Sequence, residues 1–515
     1  MNRWSALALL LAVAGALALR VPGLDARPMH NDEGVNAGKL RDLWQDGRYA
    51  YDPHEFHGPT LHYSALPFLW PGPARTFPQL NETTLRLVTV AFGTGLIVLL
   101  IPLADGLGRS AVGWAAVFTA VSPAMVFYSR YFIHETLLVF FTALTLGAGW
   151  RYCRERRAHW AVLTGMGIGL MFATKETFVI ALAAMALAAL ATRLWTKRFE
   201  EGQSLPIVLA NRNHLALAGL AGAAVWLTLF SSFFTNVEGP ADSILTYLPW
   251  LRRAGGESQH IHPWYFYLER LLFFHRAKGA FWSEGLILVL ALVGAGAAFF
   301  NRKMALSRFL TFYTLFLAIA YCAIPYKTPW CMLGFLHGLI LLAGIGAAAL
   351  IDLFRQQAGR AVTIALLTVA TGHLAWQARS AGFVYSADPT NPYVYAQTVP
   401  DILRLVQRAE EIAGIHPRGR ELVVKVMAPA HDYGPLPWYL RGFRRVGWWS
   451  YLPPDPYAPL VIVAAQLDAR LDEKSDNAYL MTGLYELRPG IFMELYVETE
   501  LWRRYVESGA AGREP

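Results

Sequence analysis

Apolar residues along this chain gather in long runs separated by short polar breaks. Examples are "LIVLLIPLA", "FVIALAAMALAALA" and "GLILVLALVGAGAAFF". Runs approaching about 20 apolar residues are what a bilayer core demands, because every backbone group there must find its partner inside a helix. The pattern predicts eleven spans, at 4–20, 84–104, 111–128, 136–150, 161–174, 177–192, 215–233, 284–300, 306–324, 330–350 and 361–378. The segments 136–150 and 161–174 are short and should extend into their flanks. Residues 1–379 therefore read as a polytopic transmembrane helical bundle, and the fold class as mostly α. From 380 to 515 the pattern changes. That stretch holds an amphipathic segment, "DILRLVQRAEEIAGI", and two short strand-like runs, "ELVVKVMAP" and "PLVIVAAQ", which together read as a small α/β domain.

Composition agrees with a membrane protein. Of 515 residues 55% are hydrophobic and 16% charged, where a soluble chain carries about a quarter charged. The net charge of +8 points to a membrane rather than to nucleic acid, because the basic residues fall at segment ends. Arg109, Arg151, Arg154, Arg156, Arg157, Arg193, Lys197, Arg198, Arg212, Arg302, Lys303, Arg308, Arg355 and Arg360 crowd one set of mostly short loops. By the positive-inside rule these face the cytoplasm. The loops 21–83, 129–135, 174–177, 234–283 and 325–329 and the tail then face outward, making this a multi-pass protein of the cytoplasmic membrane with an extracytoplasmic tail domain. Residues 1–20 can also be read as a cleaved signal peptide, since Ala16-Leu17-Ala18 resembles a cleavage site. A retained helix is the expectation, because a polytopic chain needs no separate export signal. Cys153, Cys322 and Cys331 form neither a disulfide framework nor a zinc spacing.

The outward loops carry the candidate chemistry. The first reads "RPMHNDEGVNAGKL", with Asp32 and Glu33 beside His30. Ala37, Leu40, Leu43 and Trp44 then recur with helical spacing, which predicts a short amphipathic helix lying in the membrane interface. Asn31 is a suitable N-cap, and two acids favour the positive helix end, so helix capping alone could explain the pair. Next comes "YDPHEFHGPTLHYSALPF", with His54, Glu55, His57 and His62. Its "HEFH" lacks the spacing of the H-E-x-x-H zinc signature. The turns "YSRYFIHETLL", "ATKETF" and "IPYKTPWCM" add Arg130, His134, Glu135, Lys175, Glu176 and Lys327. Ionisable groups this close to hydrocarbon are costly and mark functional sites by default, although interfacial ion pairing is common. The cytoplasmic turns show no similar cluster of carboxylate and base. A carboxylate and cations at a membrane surface suit removal of a proton from an attacking hydroxyl and stabilisation of a departing phosphate. A lipid-linked sugar phosphate has those parts.

In this setting "MHNDEGVNAGKL", "HGPTLHY", "SRYFIHE", "ATKET", "PYKTPW" and "PLPWYLR" resemble the GT-C superfamily of membrane glycosyltransferases. They look most like a protein-mannosyltransferase-like family of bacteria and archaea labelled flippase-activity-associated. The similarity covers about residues 25–335 and the stretch near Asp432–Arg441. It implies a polyprenyl-phosphate-linked sugar donor and inversion at the anomeric carbon. By motif position Asp32 is the general base with Glu33 in support, and Glu135 lies near the donor or a metal, with His134 and His57 close by. Arg130, Lys175 and Lys327 are assigned to the donor phosphate on their chemistry. Some relatives use a divalent metal and others do not. The acceptor, whether protein, lipid or glycan, stays open. A lipid-linked sugar transporter or flippase is the alternative. Transporters tend to carry polar residues at midplane and repeated halves; here "ALAAMALAALA" has nothing polar inside and no repeat is visible.

Overall fold

The structure, a computed structural model, describes residues 3–54, 57–70, 72–199, 211–255, 260–300 and 304–509. Glu55 of "HEFH" and the basic Arg302 and Lys303 lie outside the described residues. The chain opens with helices α1 (Arg3–Arg20), α2 (Asn31–Asp46), α3 (Thr60–Leu69) and α4 (Glu82–Val98). Among the described residues six helical stretches are long and apolar enough to cross a membrane: Glu82–Leu107, Phe178–Phe199, Arg212–Phe230, Ala305–Ala323, Pro329–Leu353 and Gln357–Val384. Ala6–Arg20, Ala158–Phe172 and Gly285–Phe300 are apolar but shorter. The short segment 136–150 extends to Glu135–Glu155, as expected from its flanks.

The predicted span 111–128 is not one helix. It breaks into Arg109–Val121 and Pro123–Tyr128. Pro123 has no amide hydrogen and its ring disfavours a helical residue before it, so Ser122 turns out of the helix and restarts it. The bundle closes through small residues. A Cβ on Gly346 would sit 1.9 Å from the Leu290 carbonyl oxygen, and one on Gly294 would sit 2.0 Å from that of Leu342. Helices Gly285–Phe300 and Leu333–Leu353 therefore touch backbone to backbone, as small residues permit in a membrane bundle.

The tail folds as a five-stranded sheet. Its strands are β1 (Val423–Met427), β2 (Arg445–Trp449), β3 (Leu460–Ala464), β4 (Tyr479–Arg488) and β5 (Ile491–Glu498), in the order β2-β1-β3-β5-β4. β1 runs parallel to β2 and β3, while β5 runs antiparallel to β3 and β4. The two strands legible in the sequence, β1 and β3, lie side by side within the sheet and carry apolar runs because neighbours cover them. β2, β4 and β5 were not anticipated. β2 and most of β4 are only part-buried, and their aromatic and polar residues give no clean alternation. The amphipathic helix Asp401–Ile415 forms where its pattern indicates and buries Ile402, Leu405, Ala409 and Ile412.

Candidate active site at the head of the first outer helix

α2 begins one residue earlier than a cap at Asn31 would allow. His30 is the N-cap, its Nδ1 accepting the Asp32 amide at 3.1 Å, and Asn31 is already helical. The carboxylate of Glu33, three residues on, accepts the His30 amide at 3.0 Å. This is a capping box with an imidazole in the hydroxyl's place. His30 Nε2 then donates to the Tyr395 carbonyl at 3.1 Å, the tautomer that leaves Nδ1 free to accept. The predicted apolar face of α2 is real, with Ala37, Leu40 and Leu43 buried. It packs on α3 and on the tail's segment Leu436–Tyr439. Protein thus covers a face that the pattern alone assigned to the membrane interface.

The adjacent acids have opposite surroundings. Glu33 is fully buried and accepts hydrogen bonds from Arg86 Nε and an Arg86 terminal nitrogen, both at 2.7 Å, from Arg27 at 3.1 Å and from the Phe132 amide at 2.9 Å. Burial alone would raise its pKa, but Arg86 and Arg27 override this and hold it down to about 2. A carboxylate so held takes no proton near neutrality, so its role is to fix the turn. Asp32 is 46% exposed, with its nearest paired group His30 Nδ1 at 3.7 Å. Asp32 is the acid of the pair left open to solvent.

The tail domain presses directly on this turn. A Cβ on Gly434 would meet Asn31 Oδ1 at 1.7 Å, and one on Gly34 would meet the Pro435 Cβ at 3.1 Å. Tyr439 Oη accepts the Met29 amide at 2.8 Å, Trp438 Nε1 donates to Glu82 at 2.7 Å, and Arg441 donates to the Leu80 carbonyl at 2.6 Å. The stretch "PLPWYLR" is thus the clamp that seats the tail beside Asp32. Arg488, paired with Asp432 and the Gly434 carbonyl, lies within reach of the Asp32 charge.

A second cluster forms where "HGPTLHY" meets "ATKET". Gly58 and Thr60 amides donate to the Thr174 and Ala173 carbonyls, each at 3.1 Å. A Cβ on Gly58 would lie 2.2 Å from the Ala173 oxygen, so only glycine fits this approach. The contact brings His57 Nδ1 to Glu176 at 2.9 Å and the Gly58 carbonyl to His134 Nε2 at 3.0 Å. Lys175 pairs directly with Glu135, both buried. Burial disfavours the charged lysine, yet Glu135 outweighs it and raises its pKa. This pair lines a narrow slot with Val139, Tyr321, Trp330 and Cys331, between helices of the bundle. The Trp330 ring also lies 5.6 Å from that of His30, so one indole joins the slot to the cap of α2.

Arg130 and Lys327 sit elsewhere. The Arg130 guanidinium is spent on the carbonyls of Arg20, Pro22 and Gly23 at 2.7–2.8 Å, with its face on Phe383. It locks the end of α1 to the turn before Glu135 and, with Arg27 and Arg86, lines a small pocket there. Lys327 Nζ donates to the His262 carbonyl at 3.2 Å and to that of Ile324. It thus backs the short pairing of 260–262 with 325–327. His260 and His262 in turn grip the Tyr395 hydroxyl at 2.7 and 2.9 Å. Among the described residues no group of three or more His, Cys, Asp or Glu side chains is arranged to hold a metal ion. At the other end of helix Glu135–Glu155, Arg151 pairs with Asp105 and Glu155, a cluster the sequence did not reveal on that side.

Reasoning from the sequence missed Arg86, Arg27, Tyr395, His262 and Arg488. Arg86 had a signal, since it is a charge inside the predicted span 84–104. Arg27 heads the same stretch as Asp32, six residues before Glu33, while Tyr395, His262 and Arg488 come from distant segments and had none.

The family model of dolichyl-phosphate-mannose-protein mannosyltransferases matches residues 62–235. No curated protein matches the chain in sequence. Among solved structures, ArnT from Cupriavidus metallidurans bound to undecaprenyl phosphate aligns at TM-score 0.63 and 14% identity, covering 96% of this chain and 98% of that one. The apo oligosaccharyltransferase of Archaeoglobus fulgidus aligns at TM-score 0.54 and 12% identity, covering 87% of this chain and 64% of that one. At these identities the likeness shows the fold alone: a multi-pass membrane helical bundle with an appended sheet domain.

Proposed function

We propose that this chain, whose fold is that of GT-C membrane glycosyltransferases, moves a sugar from a polyprenyl-phosphate-linked donor to an acceptor hydroxyl on the extracytoplasmic side. The observation that carries the reading is the division of labour between neighbouring acids. Glu33 is saturated by two arginines and two amides, while Asp32 projects from the same turn half-exposed.

In the proposed step Asp32 accepts the proton of the acceptor hydroxyl as its oxygen attacks the anomeric carbon. The bond from that carbon to the donor's phosphate oxygen breaks, and its electron pair leaves with the polyprenyl phosphate. Attack opposite the leaving group inverts the centre. The donor's phosphate is assigned to Lys175 in the wall of the slot, where Glu135 holds the ammonium charged and oriented. A cation there stabilises charge that builds on the leaving phosphate. The resemblance to a mannosyltransferase-like family and the match at 62–235 support a hexose, mannose first among candidates.

The test is transfer from a panel of radiolabelled polyprenyl-phosphate hexoses in membranes holding equal amounts of wild type or Asp32→Asn. Native membrane extract supplies acceptors. Loss of a positioned general base costs about 100- to 10,000-fold. Because His30, not residue 32, is the cap, Asn at 32 leaves the helix start intact. Equal transfer by both proteins overturns the assignment.

A further inference from the structure

Between the membrane bundle and the tail lies a cavity of about 590 Å³, a size suited to a small ligand or a lipid head group. Its walls include His262, Arg270 and Arg276 from one side, and Tyr395, Gln397 and Arg488 from the other. Three arginines line it, and among the described residues no aspartate or glutamate does. Arg488 is satisfied by Asp432 and the Gly434 carbonyl. The other two are not. Arg276 is exposed, and its guanidinium makes no hydrogen bond or ion pair among the described residues. Arg270 lies 3.5 Å over the Phe266 ring and donates to the Phe266 carbonyl at 3.0 Å, and its buried Nε has no partner. Its closest carboxylate, Glu269, stands 3.7 Å away and half-exposed.

The cavity also adjoins the reacting centre. Tyr395, in its wall, accepts from His30 through its carbonyl at 3.1 Å, and His30 caps the helix that bears Asp32. Gln397, also in the wall, donates to the Pro28 carbonyl at 3.0 Å. Arg488, in the same wall, lies within reach of the Asp32 charge, so a molecule that fills this space and extends past Arg488 can direct one end toward Asp32 and the other to two guanidinium groups. Guanidinium forks match the planar oxygen pairs of phosphate and carboxylate. We propose that the cavity is the acceptor subsite and that the acceptor carries an oxyanion, phosphate or carboxylate, recognised by Arg276 and Arg270. This rests on the transferase reading, but its test does not need transfer.

Full-length protein in phosphatidylcholine nanodiscs, without donor, is titrated with glucose 6-phosphate, with glucuronate and with glucose, and binding is read by calorimetry. Wild type is expected to bind at least one anionic sugar and not glucose; the tighter of the two identifies the oxyanion. Arg276→Glu should weaken that binding at least about tenfold, the loss of one charge-assisted hydrogen bond plus a repulsion. Arg276→Gln should give a smaller loss. Short-chain phosphatidylglycerol as competitor separates the sources: displacement marks a lipid head group as a competent ligand, and no displacement restricts the site to the sugar anion. Failure of both anions to bind wild type at millimolar concentration, or equal binding by Arg276→Glu, overturns the proposal. Failure of Asp32→Asn to affect transfer would instead strike the catalytic reading and leave this binding result standing.

Discussion

Replacing Glu33 by Gln should destabilise the protein, whereas replacing its neighbour Asp32 should not. Glu33 is fully buried against Arg86 and Arg27. Its pKa falls from 4.5 to about 2, and about 1.4 kcal/mol per unit makes the folded environment worth about 3 kcal/mol to the charged form. Breaking a buried pair by removing one partner costs a similar 3–5 kcal/mol or so, because the remaining charge is stranded. The sign follows from the depressed value. The contribution is complete above the ordinary carboxylate pKa and fades as pH falls from about 4.5 toward 2. The assay is unfolding in detergent followed by tryptophan fluorescence, for which the chain has 17 indoles. Glu33→Gln should lose about 3 kcal/mol at neutral pH and lose its acid-dependent component in that window. Asp32→Asn should stay within roughly 0.5 kcal/mol of wild type, as an exposed substitution outside the cap does. Glu33→Gln as stable as wild type, or Asp32→Asn the weaker of the two, would refute the division of roles.

Other outcomes follow from the same geometry. Lys175→Met alone should strand Glu135 in a buried site and lower stability by about 3–5 kcal/mol. The double variant Lys175→Met with Glu135→Gln should regain most of that in thermal unfolding yet fail to use lipid-linked donor; recovered transfer would count against the phosphate role. Gly434→Ala places a methyl 1.7 Å from Asn31 Oδ1, so the Asn31 side chain must turn aside and the seat of the tail on the α2 turn should loosen. Limited proteolysis between residues 385 and 400 should then become faster than in wild type, and an unchanged digestion pattern would show the contact can shift. His30→Ala removes the imidazole cap at a cost of about 1 kcal/mol and should lower transfer with the fold intact; full activity would mean that the cap does not orient Asp32.

Where the sequence could be read, local chemistry was decisive. Apolar runs fix helices in a bilayer whatever their neighbours, so the segments around 84–104, 177–192 and 361–378 were legible. The amphipathic period of Asp401–Ile415 was legible for the same kind of reason. The motif at Asp32 stood out because charge is dear at a membrane mouth. The break at Ser122-Pro123 was also written locally, in the proline, but a continuous hydropathy run concealed it.

What the sequence alone determined is therefore the class of protein, the helical segments and the residue types available for chemistry, since all depend on hydropathy and short-range spacing. Which acid is buried and paired, and which is left open, was decided only by tertiary structure. Arg86 lies 53 positions from Glu33, and Tyr395 lies 365 from His30. Their meeting makes one carboxylate an anchor and leaves the next one open. The same holds for Arg130, whose donors went to carbonyls about 107–110 positions away. A side chain's charge is local, but its partners are not. Burial and pairing, which set what that charge can do, come from packing segments that no window along the chain contains together.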